Sequence, residues 1–336
     1  MDLLLALLML AALAPVAGAV YQALGRASDK RRFPPPGRLV DAGGGRLHVD
    51  ARGEGAPVVV FEAGIAATSL SWRLVQPEVA RLTRTVSYDR AWLGWSEPIL
   101  KPRNIWQVVE ELRALLDRAG LDGPRILVAH SYGALVALAY AARYPAEVCG
   151  MVLVDPVAAS EWAEPSASRR KMLRRGILLS RRGGLLARLG VVRAALSLLA
   201  GGARRLPKLV ARASSGRGAV FTEQIANQIR KLPHAVWPMI QSHWCDPKCF
   251  EGMARYLEAL PESATVVASP HVYPVPLTVL SAGNATAADR AEHQRLARCS
   301  SQGRNEAVMD SGHWIQLDRP DVVIQAISEM VMQSRL

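Results

Sequence analysis

The residues from Arg125 to Tyr144 constrain the fold of this chain more than any other stretch. Ile126, Leu127, Val128 and Ala129 form an unbroken apolar run, the pattern of a parallel strand buried on both faces. After His130, Ser131, Tyr132 and Gly133, the residues Ala134, Leu135, Ala137, Leu138 and Ala141 recur at helical spacing. Ser131 therefore falls where a strand hands over to a helix. A turn that sharp needs small residues two positions to either side, and Ala129 and Gly133 supply them. The pentapeptide Ala-His-Ser-Tyr-Gly differs from the G-x-S-x-G elbow pattern by the single Cβ of Ala129.

Alternation continues on both sides of this elbow. Val58–Phe61 and Thr85–Tyr88 read as buried strands, Arg38–Val40 and Arg46–Ala51 as a hairpin around Gly43-Gly44-Gly45, and Asn104 as the cap of a helix running to about Ala119. Val148–Val154 is a further apolar strand ending at Asp155-Pro156; Leu277–Leu280 and Glu306–Met309 follow late in the chain, with a polar helix at Ala287–Ala297 and a last helix from Pro320. Such alternation predicts an α/β fold with a mostly parallel, doubly wound sheet and helices on both faces. Between the strands, residues 158–269 change character: they are helical, arginine-rich and broken by glycine pairs. The formal charge of +12 is concentrated here, because Pro165 to Thr222 holds 14 Lys or Arg and no acidic residue.

Leu3 to about Leu24 is apolar or small, close to the ~20 residues that span a bilayer. No basic residue precedes this run, and Arg26, Lys30, Arg31 and Arg32 follow it. The expectation is an uncleaved N-terminal membrane anchor over residues 1–25 with the following domain on the cytoplasmic side; the alternative is export after cleavage of a signal peptide near Ala17-Gly18-Ala19. Residues 26–37 then form a basic, proline-rich linker, 38–157 and 270–336 the core, and 158–269 a helical lid.

A serine hydroxyl is a weak nucleophile and needs a base, and the base needs an orienting carboxylate. Of seven histidines, His130 is adjacent to the serine and reads as packing, while His48, His234, His243, His271 and His293 fall in the hairpin, the inserted region or the polar helix. His313 follows the last strand on the glycine-flanked loop Ser311-Gly312-His313, at the sheet edge that the elbow shares, and is the candidate base. Cys149, Cys245, Cys249 and Cys299 are too scattered for a disulfide framework, and Cys245, Cys249 and His243 lack the paired spacing of a zinc module, so no metal or cofactor is assigned.

The joint occurrence, in order, of Glu62-Ala63-Gly64 ahead of Trp72, Tyr88-Asp89-Arg90 with Gly94-Trp95-Ser96, the elbow at Ser131, Val154-Asp155-Pro156 and Ser311-Gly312-His313 resembles the α/β-hydrolase fold from about Arg38 to the C-terminus. That resemblance implies a serine hydrolase, esterase or lipase-like, with the order Ser, acid, His. It places the acid at Asp155, after the strand that follows the elbow helix, or past the lid at Asp289. It also implies an oxyanion hole from the backbone N–H groups of Ile65 and Tyr132, donors typically worth ~3 kcal/mol each. Asp89 and Arg90 read as buttresses of the neighbouring loops. Ser131, in place of an aspartate, disfavours dehalogenase and epoxide chemistry.

The leucine- and arginine-rich mixture from Arg169 to Arg217 suits a surface-seeking helical cap facing anionic headgroups, and no nucleic-acid module accompanies it. The expected partner is thus a small hydrophobic acyl or ester substrate, with membrane lipid nearby and no nucleic acid. The competing expectation is a catalytically silent hydrolase scaffold that binds a partner at the membrane. Oligomeric state is not encoded in any of these features.

Overall fold

The computed structural model describes residues 2–200, 227–269 and 271–335. Residues 201–226, the later part of the arginine-rich stretch expected to run to Arg217, lie outside the described residues. Over the described residues the chain forms two compact units, Met1–Pro34 with Leu178–Glu251, and Pro35–Ile177 with Gly252–Leu336.

The second unit holds one sheet, of strands β1 (Arg38–Asp41), β2 (Arg46–Arg52), β3 (Val58–Glu62), β4 (Thr85–Tyr88), β5 (Arg125–His130), β6 (Val148–Val154), β7 (Leu277–Ala282) and β8 (Gly303–Val308). Their spatial order is β1-β2-β4-β3-β5-β6-β7-β8. β1 and β2 pair antiparallel, β2 meets β4 antiparallel, and from β4 to β8 every pairing is parallel.

Among the described residues the helices are α1 (Asp2–Arg32), α2 (Gln76–Val79), α3 (Ile105–Arg118), α4 (Gly133–Arg143), α5 (Ala159–Ala163), α6 (Ala167–Arg188), α7 (Val191–Ala200), α8 (Trp237–Cys245), α9 (Pro247–Ala268), α10 (Ala287–Ala297), α11 (Ile315–Asp318) and α12 (Pro320–Gln333). β3, β5 and β7 are buried along their whole length. Successive side chains go to opposite faces, as the pleat requires. Val58, Val60, Leu127 and Ala129 join α3 and α4 in one core, while Val59, Phe61, Ile126 and Val128 join α12 in the other. Two covered faces explain why these strands read as continuous apolar runs. Asn104 caps α3, its side chain accepting from Gln107 N at 3.0 Å.

The first unit corrects the expectation of an N-terminal membrane anchor: among the described residues no helix is long and apolar enough to cross a membrane. The apolar stretch is one part of the longer helix α1, which continues through Arg32. Its later turns are committed to protein partners. Buried Gln22 donates to Cys245 O at 2.7 Å and accepts from Arg193 Nε at 2.9 Å. Arg193 also meets Asp29 at 2.7 Å, and Arg26 meets Asp246 at 3.1 Å. Polar groups at this density satisfy one another within the protein and are costly in hydrocarbon. The cytoplasmic placement inferred from the basic residues after the anchor is withdrawn with it.

Candidate active site

The elbow is built where β5 ends. Ser131 stands at φ +53°, in the left-handed region that costs a residue with a Cβ ~1–2 kcal/mol. Its N–H donates to Val154 O at 3.1 Å on β6, and its carbonyl accepts from Ala134 N at 3.0 Å in the first turn of α4. Gly133 has no alternative: a Cβ there would lie 2.7 Å from Ala63 O and 2.8 Å from Glu62 O, inside the backbone that leaves β3.

His313 brings its ring to this serine from the loop after β8. Ser311 N donates to Val308 O at 3.2 Å and Gly312 N to Asp318 Oδ2 at 2.7 Å, which folds the loop back over the sheet edge. His313 Nε2 then lies 3.0 Å from Ser131 Oγ, and Nδ1 lies 2.6 Å from Asp155 Oδ2. A carboxylate only accepts, so Nδ1 carries the proton and Nε2 is left to accept from the serine hydroxyl. Asp155 is held from behind: its N–H donates to Leu280 O at 2.7 Å and its Oδ1 accepts from Ala282 N at 2.9 Å. It too is left-handed, at φ +42°. The other candidate acid, Asp289, is half-buried at the start of α10 and lines the same cavity, but its carboxylate accepts from Thr286 N at 3.1 Å and Thr286 Oγ1 at 2.6 Å in a capping box.

The loop carrying Ile65 is held by buried Arg90. Its guanidinium donates to Ala63 O at 2.6 Å, to Gly64 O and to Ile65 O at 3.1 Å, and pairs with the Glu62 carboxylate, which Tyr88 Oη also reaches. The same guanidinium lies 5.1 Å from the ring centroids of Tyr132 and Tyr256. Arg90 thus touches both residues expected to donate to an oxyanion. Among the described residues neither the Ile65 nor the Tyr132 N–H donates to a backbone carbonyl. Burial raises the pKa of Glu62 above the usual carboxylate value, against the opposing pull of Arg90. His130 is buried with its Nε2 donating to His313 O at 2.9 Å, and burial first, then the neighbouring His313, holds its pKa well below the ordinary imidazole value. The ring read as packing therefore also grips the backbone of the candidate base.

Residues 57–320 match the family model described as alpha/beta hydrolase fold. The chain belongs to the α/β hydrolase fold family. Among curated relatives of this hydrolase-fold chain, lipase LipV of Mycobacterium tuberculosis is 45% identical over 114 residues, covering 34% of this chain and 42% of the relative. The 2-hydroxy-6-oxo-2,4-heptadienoate hydrolase of Pseudomonas putida is 35% identical over 132 residues, covering 37% of this chain and 46% of the relative. The chain spans less than half the length of the curated relatives it matches. A solved structure of a thermophilic esterase from Thermogutta terrifontis superposes with TM-score 0.65 at 20% identity, over 89% of this chain and 99% of that one, a likeness of fold.

A cavity of about 240 Å³ opens onto the hydrolase-fold site, lined by Ser131, Asp155 and His313 together with Pro156, Val157, Trp162 and the polar Glu161 and Asp289. Arg169 also lines it, lying 5.3 Å from the Trp162 ring centroid and paired with Glu161. Among the described residues no group of three or more His, Cys, Asp or Glu is placed to hold a metal ion. The sequence reading passed over His293: it assigned this residue to a polar helix, yet it is buried and lines the same cavity. Its place three residues before the apolar pair Leu296-Ala297 is the signal that it faces inward.

Proposed function

We propose that this chain is a serine hydrolase that cleaves an ester or related acyl bond of a small hydrophobic substrate through an acyl-enzyme. The observation that carries this is the unbroken line from Ser131 Oγ through the His313 ring to Asp155, at 3.0 and 2.6 Å. In this mechanism Ser131 Oγ attacks the acyl carbon as His313 Nε2 takes the hydroxyl proton. Asp155 stabilises the imidazolium, and the Ile65 and Tyr132 N–H groups receive the oxyanion. The imidazolium gives its proton to the leaving alkoxide as the carbonyl re-forms. Water, deprotonated by the same Nε2, then attacks the acyl-enzyme, and the collapse of the second tetrahedral intermediate returns the proton to Ser131 and releases the acid. Among the cavity walls, Pro156, Val157 and Trp162 offer apolar surface for an acyl group beside the charged Glu161 and Arg169.

A fluorophosphonate probe tests the reading directly. Wild type is expected to be labelled at Ser131, Ser131→Ala to be unlabelled, and a chain-length series of aryl esters to turn over only with wild type. Folded wild-type protein that takes no label and turns over no ester would refute it.

A further inference from the structure

Resting on the triad just proposed, we propose that His293 is a positioning residue for its acid: a relay that starts at Asn305 on β8 and runs through buried Ser281 on β7 to buried His293 on α10 fixes the Asp155-Pro156 turn and so aims the carboxylate at His313. Asp155 occupies a left-handed conformation, φ +42°, which persists only where the surroundings over-determine it. Each residue of the turn is tied. Asp155 N donates to Leu280 O at 2.7 Å, and Val157 N donates to Ser131 O at 3.3 Å. Pro156 between them has no N–H, so its carbonyl is the remaining backbone handle, and His293 Nε2 donates to it at 2.9 Å.

The direction of that bond is set from the other side of the ring. A carbonyl cannot donate, so Nε2 bears the proton and Nδ1 accepts from Ser281 Oγ at 2.8 Å. Both amide atoms of Asn305 reach Ser281 Oγ, Nδ2 at 3.1 Å and Oδ1 at 3.2 Å, and the ring nitrogen at 2.8 Å is the closer of the two acceptors open to the hydroxyl hydrogen. Asn305 lies on β8, Ser281 on β7 and His293 on α10, all three joined behind the acid. Ser281 is also the residue before Ala282, whose N–H holds Asp155 Oδ1 at 2.9 Å. The relay and the acid are therefore fastened to the same strand end, and His293, 1% exposed, has both ring nitrogens committed to it.

His293→Phe keeps a buried ring and removes both bonds. It is expected to lower kcat on an aryl ester about 10–100-fold, the loss that a small misplacement of a catalytic group brings, with KM within about threefold of wild type. His293→Gln restores a donor toward Pro156 and is expected to recover at least about tenfold of that loss. Ser281→Ala, which removes the hydroxyl that fixes the ring proton, lowers kcat in the same direction and serves should the phenylalanine variant fail to fold. Independently of turnover, the downfield proton resonance of the His313–Asp155 hydrogen bond is expected to move upfield in each weakened variant. Folded His293→Phe or Ser281→Ala protein with unchanged kcat and an unmoved resonance overturns the assignment. Absence of fluorophosphonate labelling in wild type would instead strike the hydrolase reading itself, and the resonance would still report whether the relay holds the acid.

Discussion

Asparagine at position 155 gives the sharpest test of which carboxylate serves His313. The Asp155 carboxylate meets two N–H donors, Ala282 N at 2.9 Å and His313 Nδ1 at 2.6 Å. An amide of the same shape has one oxygen to offer. Turned toward Ala282, its NH₂ faces the histidine and drives the ring proton to Nε2, where a second donor then confronts Ser131 Oγ instead of an acceptor. Turned the other way, the NH₂ faces the Ala282 N–H and leaves that buried donor unmet, at a cost of about 1–3 kcal/mol. Tautomer reversal in a Ser-His-Asp triad lowers kcat about 10⁴-fold, close to 5 kcal/mol of transition-state stabilisation. The expected outcome for Asp155→Asn is a loss of that order in kcat on an aryl ester, in a protein whose circular dichroism matches wild type. Asp289→Asn trims the capping box of α10 at a wall of the cavity and leaves the His313–Asp155 bond intact, so about 0.5–1 kcal/mol of stability is expected to go while kcat stays within about threefold. An Asp155→Asn enzyme within tenfold of wild type, or a collapse of activity in Asp289→Asn, would refute the reasoning.

Two further outcomes follow from buried charge. Arg90→Met strands Glu62, already pushed up by burial, without its guanidinium partner; urea unfolding is expected to show a loss of about 3–5 kcal/mol, only part of it recovered by adding Glu62→Leu because the Ala63, Gly64 and Ile65 carbonyls stay unmet. An unchanged midpoint in the single variant would count against the clamp. His130 is held neutral by burial, so below about pH 6.5 the unfolded chain takes up a proton that the folded chain refuses. Stability from this group is full above that pH and is lost as pH falls toward the depressed folded value, by up to ~1.4 kcal/mol per unit. Thermal melts from pH 7.5 to 5 are expected to show this slope in wild type and a shallower one in His130→Asn; parallel slopes would exclude His130 as its source.

The middle of the sheet was legible because β3, β5 and β7 are buried along their whole length, and two covered faces favour apolar residues, whereas β1 and β8 at the edges are largely exposed. The elbow was legible for a steric reason, since Gly133 stands where Glu62 and Ala63 leave no room for a Cβ. The carboxylate was harder to read. Whether Asp155 or Asp289 meets His313 depends on how β6 and β7 pair, and residues far apart in sequence decide that register. The spacing of Thr286 and Asp289 carried its own clue, the pattern of a helix cap. His293 was passed over because α10 is polar in composition, whereas burial follows the face a residue occupies. The apolar N-terminal run misled through its length and the basic residues after it: Gln22, Arg26 and Asp29 declare their purpose only once Cys245, Asp246 and Arg193 are brought beside them.

The bonds from Asp155 to Leu280 and Ala282 have a consequence for how this molecule can diversify. They join the departure point of the long insertion to the strand on which it returns. Ser131, Asp155 and His313 all lie outside that insertion, which contributes Trp162, Glu161 and Arg169 as walls of the cavity. Exchange of the inserted helices would remodel what the walls accept while the reacting atoms kept their spacing. On the proposed function, selectivity and chemistry are housed in parts of the chain that can change at different rates.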